Sequence, residues 1–343
     1  MSATNQPPLL DVRGLTTEFV TRTGAVAAVR NVSLSVRRGE KVAIVGESGC
    51  GKSTLALSIL GLVDRPGRIA AGEVRLHGRN LVGLSEREMK KIRGNVVSLI
   101  FQDPMGALDP IQTVGAQLID TLRRHQPSLS HKAARARAVE LLREVEVPAA
   151  ERRLDDYPHH YSGGMRQRVM IAIALANSPA LIIADEPTTA LDVTTQAQVL
   201  ALLERVVANH GVAVLLITHN LGVVAEFCDG VQVMYAGRIV ERGPTEAVLA
   251  KPTHPYTQAL LESIPDPSRR GDRLRAIPGM PPDLSAMPTG CAFEPRCFHG
   301  HGREICRTRQ PIPIAIETAG GPSLVECHFA AERAARAGEI TAS

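Results

Sequence analysis

The segment Gly46–Thr54 reads GESGCGKST and decides the fold. It fits the pattern G-x-x-x-x-G-K-[ST], a loop whose backbone amides surround nucleotide phosphates. The preceding KVAIVG (residues 41–46) is predicted to be a short buried strand, and KSTLALSILGLV (residues 52–63) has apolar residues at helical spacing. A strand before the loop and a helix after it are the context that a phosphate loop requires, so the sequence predicts nucleotide binding here.

Each part of this loop has a predicted role. The glycines lack a Cβ, so the backbone can turn its N–H groups toward phosphates. In loops of this pattern, Lys52 reaches the β- and γ-phosphates and the Ser53 hydroxyl ligates Mg²⁺. The positions assigned to nucleotide binding are Gly46, Ser48, Gly49, Cys50, Gly51, Lys52, Ser53 and Thr54.

A second segment, LIIADEP (residues 181–187), is predicted to be a buried strand that ends in two carboxylates. Asp185 is expected to hold Mg²⁺, as in other ATPases with this type of loop. Glu186 is expected to polarise the attacking water. A strand that simply ends in solvated acids is the alternative, and the phosphate loop favours catalysis over it.

The segment YSGGMRQRVMIAIALANSP (residues 161–179) predicts a helix with an open start. Ser162 is a good N-cap, and Gly163 and Gly164 leave the first helical N–H groups accessible to an anion. Two chains arranged head-to-tail would then complete each other's nucleotide sites. Alone, the segment would be an ordinary glycine-rich helix start.

Composition excludes several classes of protein. Of the 343 residues, 44% are apolar and 22% are charged, which is typical of a globular protein with a sizeable core. Aromatic residues make up 3% and Trp is absent, so we expect no nucleic-acid partner that depends on base stacking. Apolar runs such as Val212–Ile217 are too short to span a bilayer, and the N-terminal MSATNQPPLLDV lacks the features of a secretory signal. We therefore expect the chain to remain in the cytosol.

The order of patterns predicts an α/β fold with an appended segment. The first forty residues alternate as antiparallel strands around a turn, residues 113–146 are predicted to be helical, and VQVMYAGRIVERG (residues 231–243) is predicted to be a hairpin turning near Gly237. The later part is rich in Pro and Gly and contains four of the six cysteines. We predict an ATPase domain at 1–262 and a C-terminal extension at 263–343.

Six elements occur in an order that resembles the ATP-binding subunits of ABC transporters over roughly residues 10–250. They are GESGCGKST, Gln102 in IFQDP, YSGGMRQR, LIIADEP, ALD (residues 190–192) and His219 in ITHN. The resemblance implies a RecA-like core, an antiparallel β subdomain and a helical subdomain at about 104–165. The signature reads SGGM where SGGQ is commonest in the family, with Gln167 further on.

The resemblance also implies residue roles. Phe19 would stack on adenine, and Asp192 would face the partner subunit. Gln102 would sense the γ-phosphate, join the Mg²⁺ ligands Ser53 and Asp185, and lie where the membrane partner docks. His219 would contact the γ-phosphate and stabilise the charge of hydrolysis. Taken singly, Phe19, Gln102 and His219 would more often be a core aromatic, a surface amide and a strand-end histidine.

The segments KPTHPYTQALLESIPDP (residues 251–267) and GCAFEPRC (residues 290–297) resemble the C-terminal extension of oligopeptide and dipeptide importer ATPases. The resemblance implies a heterodimer with a paralogous ABC ATPase, under two transmembrane permease subunits that are fed by an extracytoplasmic solute-binding protein. The chain would lie peripherally on the cytoplasmic face of the inner membrane. The alternatives are the motor of an exporter or of a nickel or other solute importer, and a soluble ABC ATPase of repair or translation.

Four cysteines lie in the predicted extension: Cys291, Cys297, Cys306 and Cys327. The 5, 8 and 20 residues between successive members match neither the paired C-x2-C of structural zinc nor ferredoxin spacings. Spacing leaves a metal site or four unrelated thiols, and the weak apolar periodicity indicates that this part needs a staple to stay folded. The resemblance implies a [4Fe-4S] cluster, with zinc as the alternative.

Overall fold

The computed structural model describes residues 7–22, 24–188, 191–263, 276–318 and 320–339. Within these ranges, helices are too short or too polar to cross a membrane. The chain forms two compact units, here called the carboxylate unit and the loop unit after the residues they contain. The carboxylate unit comprises Met1–Leu10, Val36–Lys41 and Arg75–Ile217. The loop unit comprises Asp11–Ser35, Val42–Val74 and Thr218–Ser343.

Strands and helices alternate over much of the chain. The strands are β1 (Leu10–Thr21), β2 (Gly24–Val36), β3 (Lys41–Val45), β4 (Gly67–Leu76), β5 (Arg79–Asn80), β6 (Val97–Ile100), β7 (Leu181–Asp185), β8 (Ala213–Ile217), β9 (Gly230–Tyr235), β10 (Arg238–Pro244), β11 (Ile314–Ile316) and β12 (Ser323–Val325). The helices are α1 (Lys52–Ile59), α2 (Glu86–Ile92), α3 (Pro104–Ala107), α4 (Val114–His125), α5 (His131–Glu144), α6 (Ala150–Arg153), α7 (Gly163–Leu175), α8 (Val193–His210), α9 (Leu221–Phe227), α10 (Thr245–Ala250), α11 (Pro255–Glu262), α12 (Glu304–Thr308) and α13 (Ala330–Glu339).

In the loop unit, β3 carries the phosphate loop at its carboxyl end. It pairs in parallel with β9, from Val42 opposite Gly230 to Val45 opposite Val233. Strands β9 and β10 form the predicted hairpin, with Gly237 at the turn in a left-handed conformation. In a second sheet the order is β2-β1-β4, so the predicted early strand pair is present.

The C-terminal part of the chain continues this sheet. Strand β12 pairs antiparallel with β10, with Val325 opposite Glu241, and β11 pairs with β12. Ile316, Val325 and Ala330 form a small buried core beneath these strands. Because β11 and β12 have three residues each, they are too short to give a periodic signal in the sequence.

In the carboxylate unit, β6, β7 and β8 are parallel neighbours, with α8 connecting β7 to β8. Their carboxyl ends therefore meet at one edge, where Gln102, Asp185 and Glu186 lie. The single helical stretch predicted at 113–146 is two helices, α4 and α5. Pro127 disfavours helical geometry at Gln126, and Ser130 caps the new helix by accepting the N–H of Ala133.

The predicted α/β class is confirmed by this arrangement of strands and helices. The domain boundary predicted at 262/263 coincides with the end of α11 at Glu262, and residues 264–275 lie outside the described residues. The boundary and the helical subdomain at about 104–165 therefore stay predictions.

Candidate functional site

The phosphate loop has a shape that only glycine permits at its last turn. Gly51 has a φ of +106°, and a Cβ built on it would lie 2.3 Å from the carbonyl oxygen of Ala28. Gly46 is equally constrained, since its Cβ would lie 2.2 Å from the Met234 carbonyl oxygen. Helix α1 begins directly after Gly51, so its first N–H groups point back into the loop. This cradle fits a phosphate group.

Lys52 is buried at the start of α1 and its ammonium is held by the loop itself. Its Nζ donates to the carbonyl oxygens of Gly46 at 2.8 Å and Glu47 at 3.0 Å. Ser48, Gly49 and Ser53 are exposed and Thr54 is half-buried. Cys50 is buried, and burial raises the pKa of its thiol. The loop therefore combines an internal cation with accessible amides and hydroxyls.

Two of the predicted catalytic residues touch each other in the carboxylate unit. Gln102 follows β6 and Glu186 follows β7, and the Gln102 Nε2 donates to the Glu186 Oε2 at 3.2 Å. Glu186 has a φ of +44° and its backbone N–H donates to the Ile217 carbonyl oxygen at 2.8 Å, which fixes it beside β8. Asp185 is the last residue of β7. The strand edge thus presents an amide and two carboxylates.

The oxygen atoms predicted to hold Mg²⁺ belong to the class that this ion prefers. They are a hydroxyl at Ser53, an amide at Gln102 and a carboxylate at Asp185. Asp185 and Gln102 lie at the carboxyl edge of neighbouring strands, and Ser53 is exposed on α1. The donor types fit Mg²⁺, and the ligand set stays a prediction.

The helix predicted after the SGG sequence begins at Gly163 and is capped by Ser162, whose Oγ accepts the Met165 N–H at 3.3 Å. A Cβ on Gly164 would lie 2.5 Å from the Cγ2 of Thr195. Asp192 caps α8 by accepting the N–H and the hydroxyl of Thr195, and that hydroxyl bond lowers the pKa of Asp192. Ser162 and Asp192 are exposed, as a subunit-facing role requires.

Phe19 and His219 lie in the loop unit. Phe19 is half-buried on β1, and its Cε1 would lie 2.8 Å from a Cβ on Gly67. His219 is exposed directly after Thr218, whose N–H donates to the Ile44 carbonyl oxygen of β3 at 3.1 Å. Their contacts with adenine and the γ-phosphate stay predictions.

Three residues at the phosphate loop escaped the sequence analysis. The Tyr256 hydroxyl accepts the Glu47 N–H at 2.9 Å. The Arg296 guanidinium donates to both oxygens of the Glu47 carboxylate, at 2.8 and 2.9 Å. Tyr256 lies in HPYT and Arg296 in GCAFEPRC. These segments indicate the family resemblance, but nothing in them predicts a contact with Glu47, which lies 209 and 249 residues earlier in the chain.

Comparisons with known proteins indicate the family of this chain. A family model described as "ABC transporter" matches residues 29–189. A probable peptide ABC transporter ATP-binding protein of Sinorhizobium fredii is 51% identical over 90% of this chain and 92% of its own length. The chain belongs to the ABC transporter ATP-binding family. A second model, "Oligopeptide/dipeptide transporter, C-terminal region", matches residues 240–306.

Other proteins are similar to this ABC ATPase over most of its length or share its fold. The dipeptide transport ATP-binding protein DppD of Lactococcus lactis is 49% identical over 84% of this chain and 82% of its own length. A dimeric, post-hydrolysis structure of an ATP-binding cassette bound to ADP and Pi has a TM-score of 0.62 and 31% identity, covering 69% of this chain and 98% of that one. The structure of cbiO1 from Clostridium perfringens, part of the ABC transporter complex cbiONQ, has a TM-score of 0.61 and 27% identity, covering 72% and 92%.

These comparisons confirm the predicted family and the ABC ATPase fold. The ABC ATPase binds ATP and hydrolyses it as a transporter subunit. The individual residue roles were assigned by position in the sequence and stay predictions.

The prediction of a [4Fe-4S] cluster in the C-terminal part is wrong. Cys291, Cys297, Cys306 and Cys327 line one small pocket. Across the described residues, however, no three His, Cys, Asp or Glu side chains are grouped so that they could hold a metal ion, iron or zinc. Burial raises the pKa of the Cys291 thiol to about 12.

The C-terminal part is held without a metal staple. Strand β12 continues the sheet of the loop unit, and the Arg238 guanidinium donates to both oxygens of the Glu326 carboxylate at 3.0 and 3.1 Å. Arg333 of α13 donates to the Thr253 carbonyl oxygen at 2.7 Å. These contacts join residues 80 and 88 positions apart, and sequence periodicity does not reveal such contacts. The sequence therefore suggested that a staple was needed.

The start of α11 depends on a neutral, buried histidine. The Glu241 carboxylate accepts the N–H groups of Thr253 at 2.8 Å and His254 at 3.1 Å. The His254 Nδ1 in turn accepts the Tyr256 N–H at 3.0 Å, which places the Tyr256 hydroxyl at the phosphate loop. Burial, followed by the nearby Arg333 charge, lowers the pKa of His254 to about 3.

We predict that this histidine destabilises the protein in acid. The unfolded chain binds the His254 proton near pH 6.5 and the folded chain only near pH 3, so its contribution to stability is full above pH 6.5 and is lost as the pH falls. Between pH 7.5 and pH 5 the loss is about 2 kcal/mol. His254→Asn keeps an acceptor for the Tyr256 N–H but cannot bind the proton, so chemical denaturation should show a pH dependence smaller by that amount. An unchanged pH dependence, equal to that of the exposed control His131→Asn, would contradict it.

Proposed function

We propose that this ABC ATPase is the motor subunit of a peptide importer. The match of residues 240–306 to the model described as the oligopeptide/dipeptide transporter C-terminal region carries this proposal, because that description names the substrate class. The relatives at about half identity are named for peptide or dipeptide transport, which supports the same substrate class.

The chemistry we assign to the residues follows from their positions. Lys52 and the amides of the loop bind the phosphates of ATP, and Glu186 polarises the attacking water while the Gln102 amide orients its carboxylate. His219 stabilises charge on the γ-phosphate. Bound Mg²⁺, held by Ser53, Asp185 and Gln102, would neutralise phosphate charge.

The partners are a paralogous ABC ATPase, forming a heterodimer, and two transmembrane permease subunits that receive peptide from an extracytoplasmic solute-binding protein. Three exposed apolar side chains close to Gln102 in the sequence support permease docking at this point: Phe101, Met105 and Ile111 are 46%, 53% and 82% exposed. Apolar side chains clustered on a surface mark sites of protein association. Such docking would place the chain peripherally on the cytoplasmic face of the membrane.

Coupling follows from differential affinity. ATP binds the closed dimer more tightly than the open one, so binding closes the dimer and hydrolysis reopens it. Gln102 contacts Glu186 and adjoins the exposed apolar residues, so the proposed docking surface and the proposed base share one strand edge. Closure of the dimer would therefore be transmitted to the permease through the segment that contains Gln102.

Assembly tests the proposed function. The exposed helix start at Ser162 needs another subunit's phosphate loop to act on, so the isolated chain should be mostly monomeric and a poor ATPase. Co-expression with the paralogous ATPase and the permeases should raise the rate of phosphate release. A chain that is fully active as a monomer in dilute solution, measured by light scattering and phosphate release together, would contradict it.

A further inference from the structure

Arg296, in the C-terminal part, is built into the phosphate loop. Its side chain is 4% exposed and donates to both oxygens of the Glu47 carboxylate. The same guanidinium donates to the Tyr235 hydroxyl at 3.2 Å and the Pro278 carbonyl oxygen at 2.8 Å. The guanidinium thus makes four hydrogen bonds to protein oxygen atoms, which fix Arg296 in one orientation.

Glu47 is bonded through all three of its polar groups. Its N–H donates to the Tyr256 hydroxyl, its carboxylate accepts from Arg296, and its carbonyl oxygen accepts from the Lys52 ammonium. Glu47 therefore joins Tyr256 and Arg296 to the lysine of the phosphate loop. An exposed loop glutamate would need none of these partners.

The partners of Glu47 are themselves immobilised. Tyr235, Tyr256 and Phe293 are at most 1% exposed, and their ring centroids lie 4.5 to 5.4 Å apart. The short helical turn Glu294–Arg296 follows Phe293 directly, so the packed rings set the position of the guanidinium. The bidentate contact is thus held by a buried aromatic cluster.

We propose that Arg296 is a positioning residue that holds the phosphate loop in its nucleotide-binding conformation, so that the C-terminal part of the chain sets the affinity for ATP. This rests on the proposed role of the loop in binding ATP. The Arg296 side chain contacts Glu47 and reaches no reacting atom. Its effect passes through the Glu47 backbone to Lys52.

The physical reason lies in the loop's conformational freedom. Its glycines adopt backbone angles that are accessible only because they lack a side chain, and they allow many other conformations. If only a fraction of molecules has the binding conformation, the apparent dissociation constant rises by the inverse of that fraction. Loss of Arg296 lowers the fraction without altering Glu186 and Gln102, so affinity should fall while the rate at saturating ATP is kept.

The test compares Arg296→Gln with the pair Arg296→Gln/Glu47→Gln in the full chain. Binding of a fluorescent ATP analogue gives the dissociation constant, and phosphate release by the assembled complex gives kcat and KM. We expect Arg296→Gln to raise the dissociation constant and KM about tenfold with kcat within about twofold. The pair should recover part of the affinity, since the single variant leaves a half-buried carboxylate without its guanidinium partner. Arg307→Gln, an exposed arginine of the same segment, is the matched control and should bind as the wild type does.

Two results overturn the inference. One is a folded Arg296→Gln variant, with an unchanged melting temperature, that binds the analogue as tightly as the wild type. The other applies if Arg296→Gln fails to fold. Tyr256→Phe then replaces it, since it removes only the hydroxyl that accepts the Glu47 N–H, and wild-type affinity in Tyr256→Phe would reject the inference. A wild-type chain that does not bind the analogue would overturn the proposed function itself, and the inference with it.

Discussion

Replacing Glu186 by Gln is expected to slow ATP turnover by about 10²–10⁴, the share usually supplied by a general base, while ATP still binds. The side chain follows β7 directly after Asp185 and its backbone is fixed by the bond to the Ile217 carbonyl oxygen. Glutamine has the same shape and can still bond to Gln102, but it cannot accept a proton from water. The measurement is single-turnover phosphate release by the assembled complex, with nucleotide binding determined separately.

Glu204→Gln is the matched control for this variant. It removes a carboxylate from the same unit at an exposed ion pair with Lys41, where the atoms are 3.7 Å apart, and such surface pairs contribute little. Its turnover should equal that of the wild type. Turnover of Glu186→Gln within a few-fold of the wild type would remove Glu186 from the role of base.

Replacing Gly51 by Ala is expected to weaken ATP binding about 10–100-fold. The new methyl group would lie 2.3 Å from the Ala28 carbonyl oxygen, at a backbone φ of +106° that side chains disfavour. Strain of this kind costs about 1–3 kcal/mol, and the loop can relieve it only by moving the N–H groups at the start of α1. Each 1.4 kcal/mol corresponds to tenfold in the dissociation constant.

Gly39→Ala separates this collision from the general cost of a left-handed alanine. Gly39 has a φ of +69° with no atom within 4 Å of a built Cβ. It should lose about 1 kcal/mol of stability and keep its affinity for ATP. Equal affinity in the Gly51 and Gly39 variants, measured by titration with a fluorescent ATP analogue, would show that the loop tolerates a side chain at Gly51.

The sequence reveals the parts of this molecule whose chemistry is local. The helix cap at Ser162 and the hairpin at Gly237 depend on neighbours a few residues away, so their patterns predict them correctly. The break between α4 and α5 is also a local effect, caused by Pro127. The apolar periodicity continues across it and therefore predicted a single helix.

Contacts between distant residues have no such pattern. Gln102 and Glu186 are 84 residues apart and were associated only through the resemblance. Glu47 and Arg296 are 249 residues apart and were not associated at all. For the four cysteines, the sequence suggested a contact of the wrong kind. They line one pocket, but the described residues do not form the convergent group that metal ligands need.

ATP-driven movement of peptide tests the account most directly. Proteoliposomes would contain the permeases, the paralogous ATPase and this chain, with ATP inside and the peptide-loaded solute-binding protein outside. We predict that labelled peptide accumulates inside only when ATP is present, and that the complex with Glu186→Gln accumulates it far more slowly. ATP hydrolysis at the full rate without accumulation of peptide, or accumulation that is equal without ATP, would contradict the account.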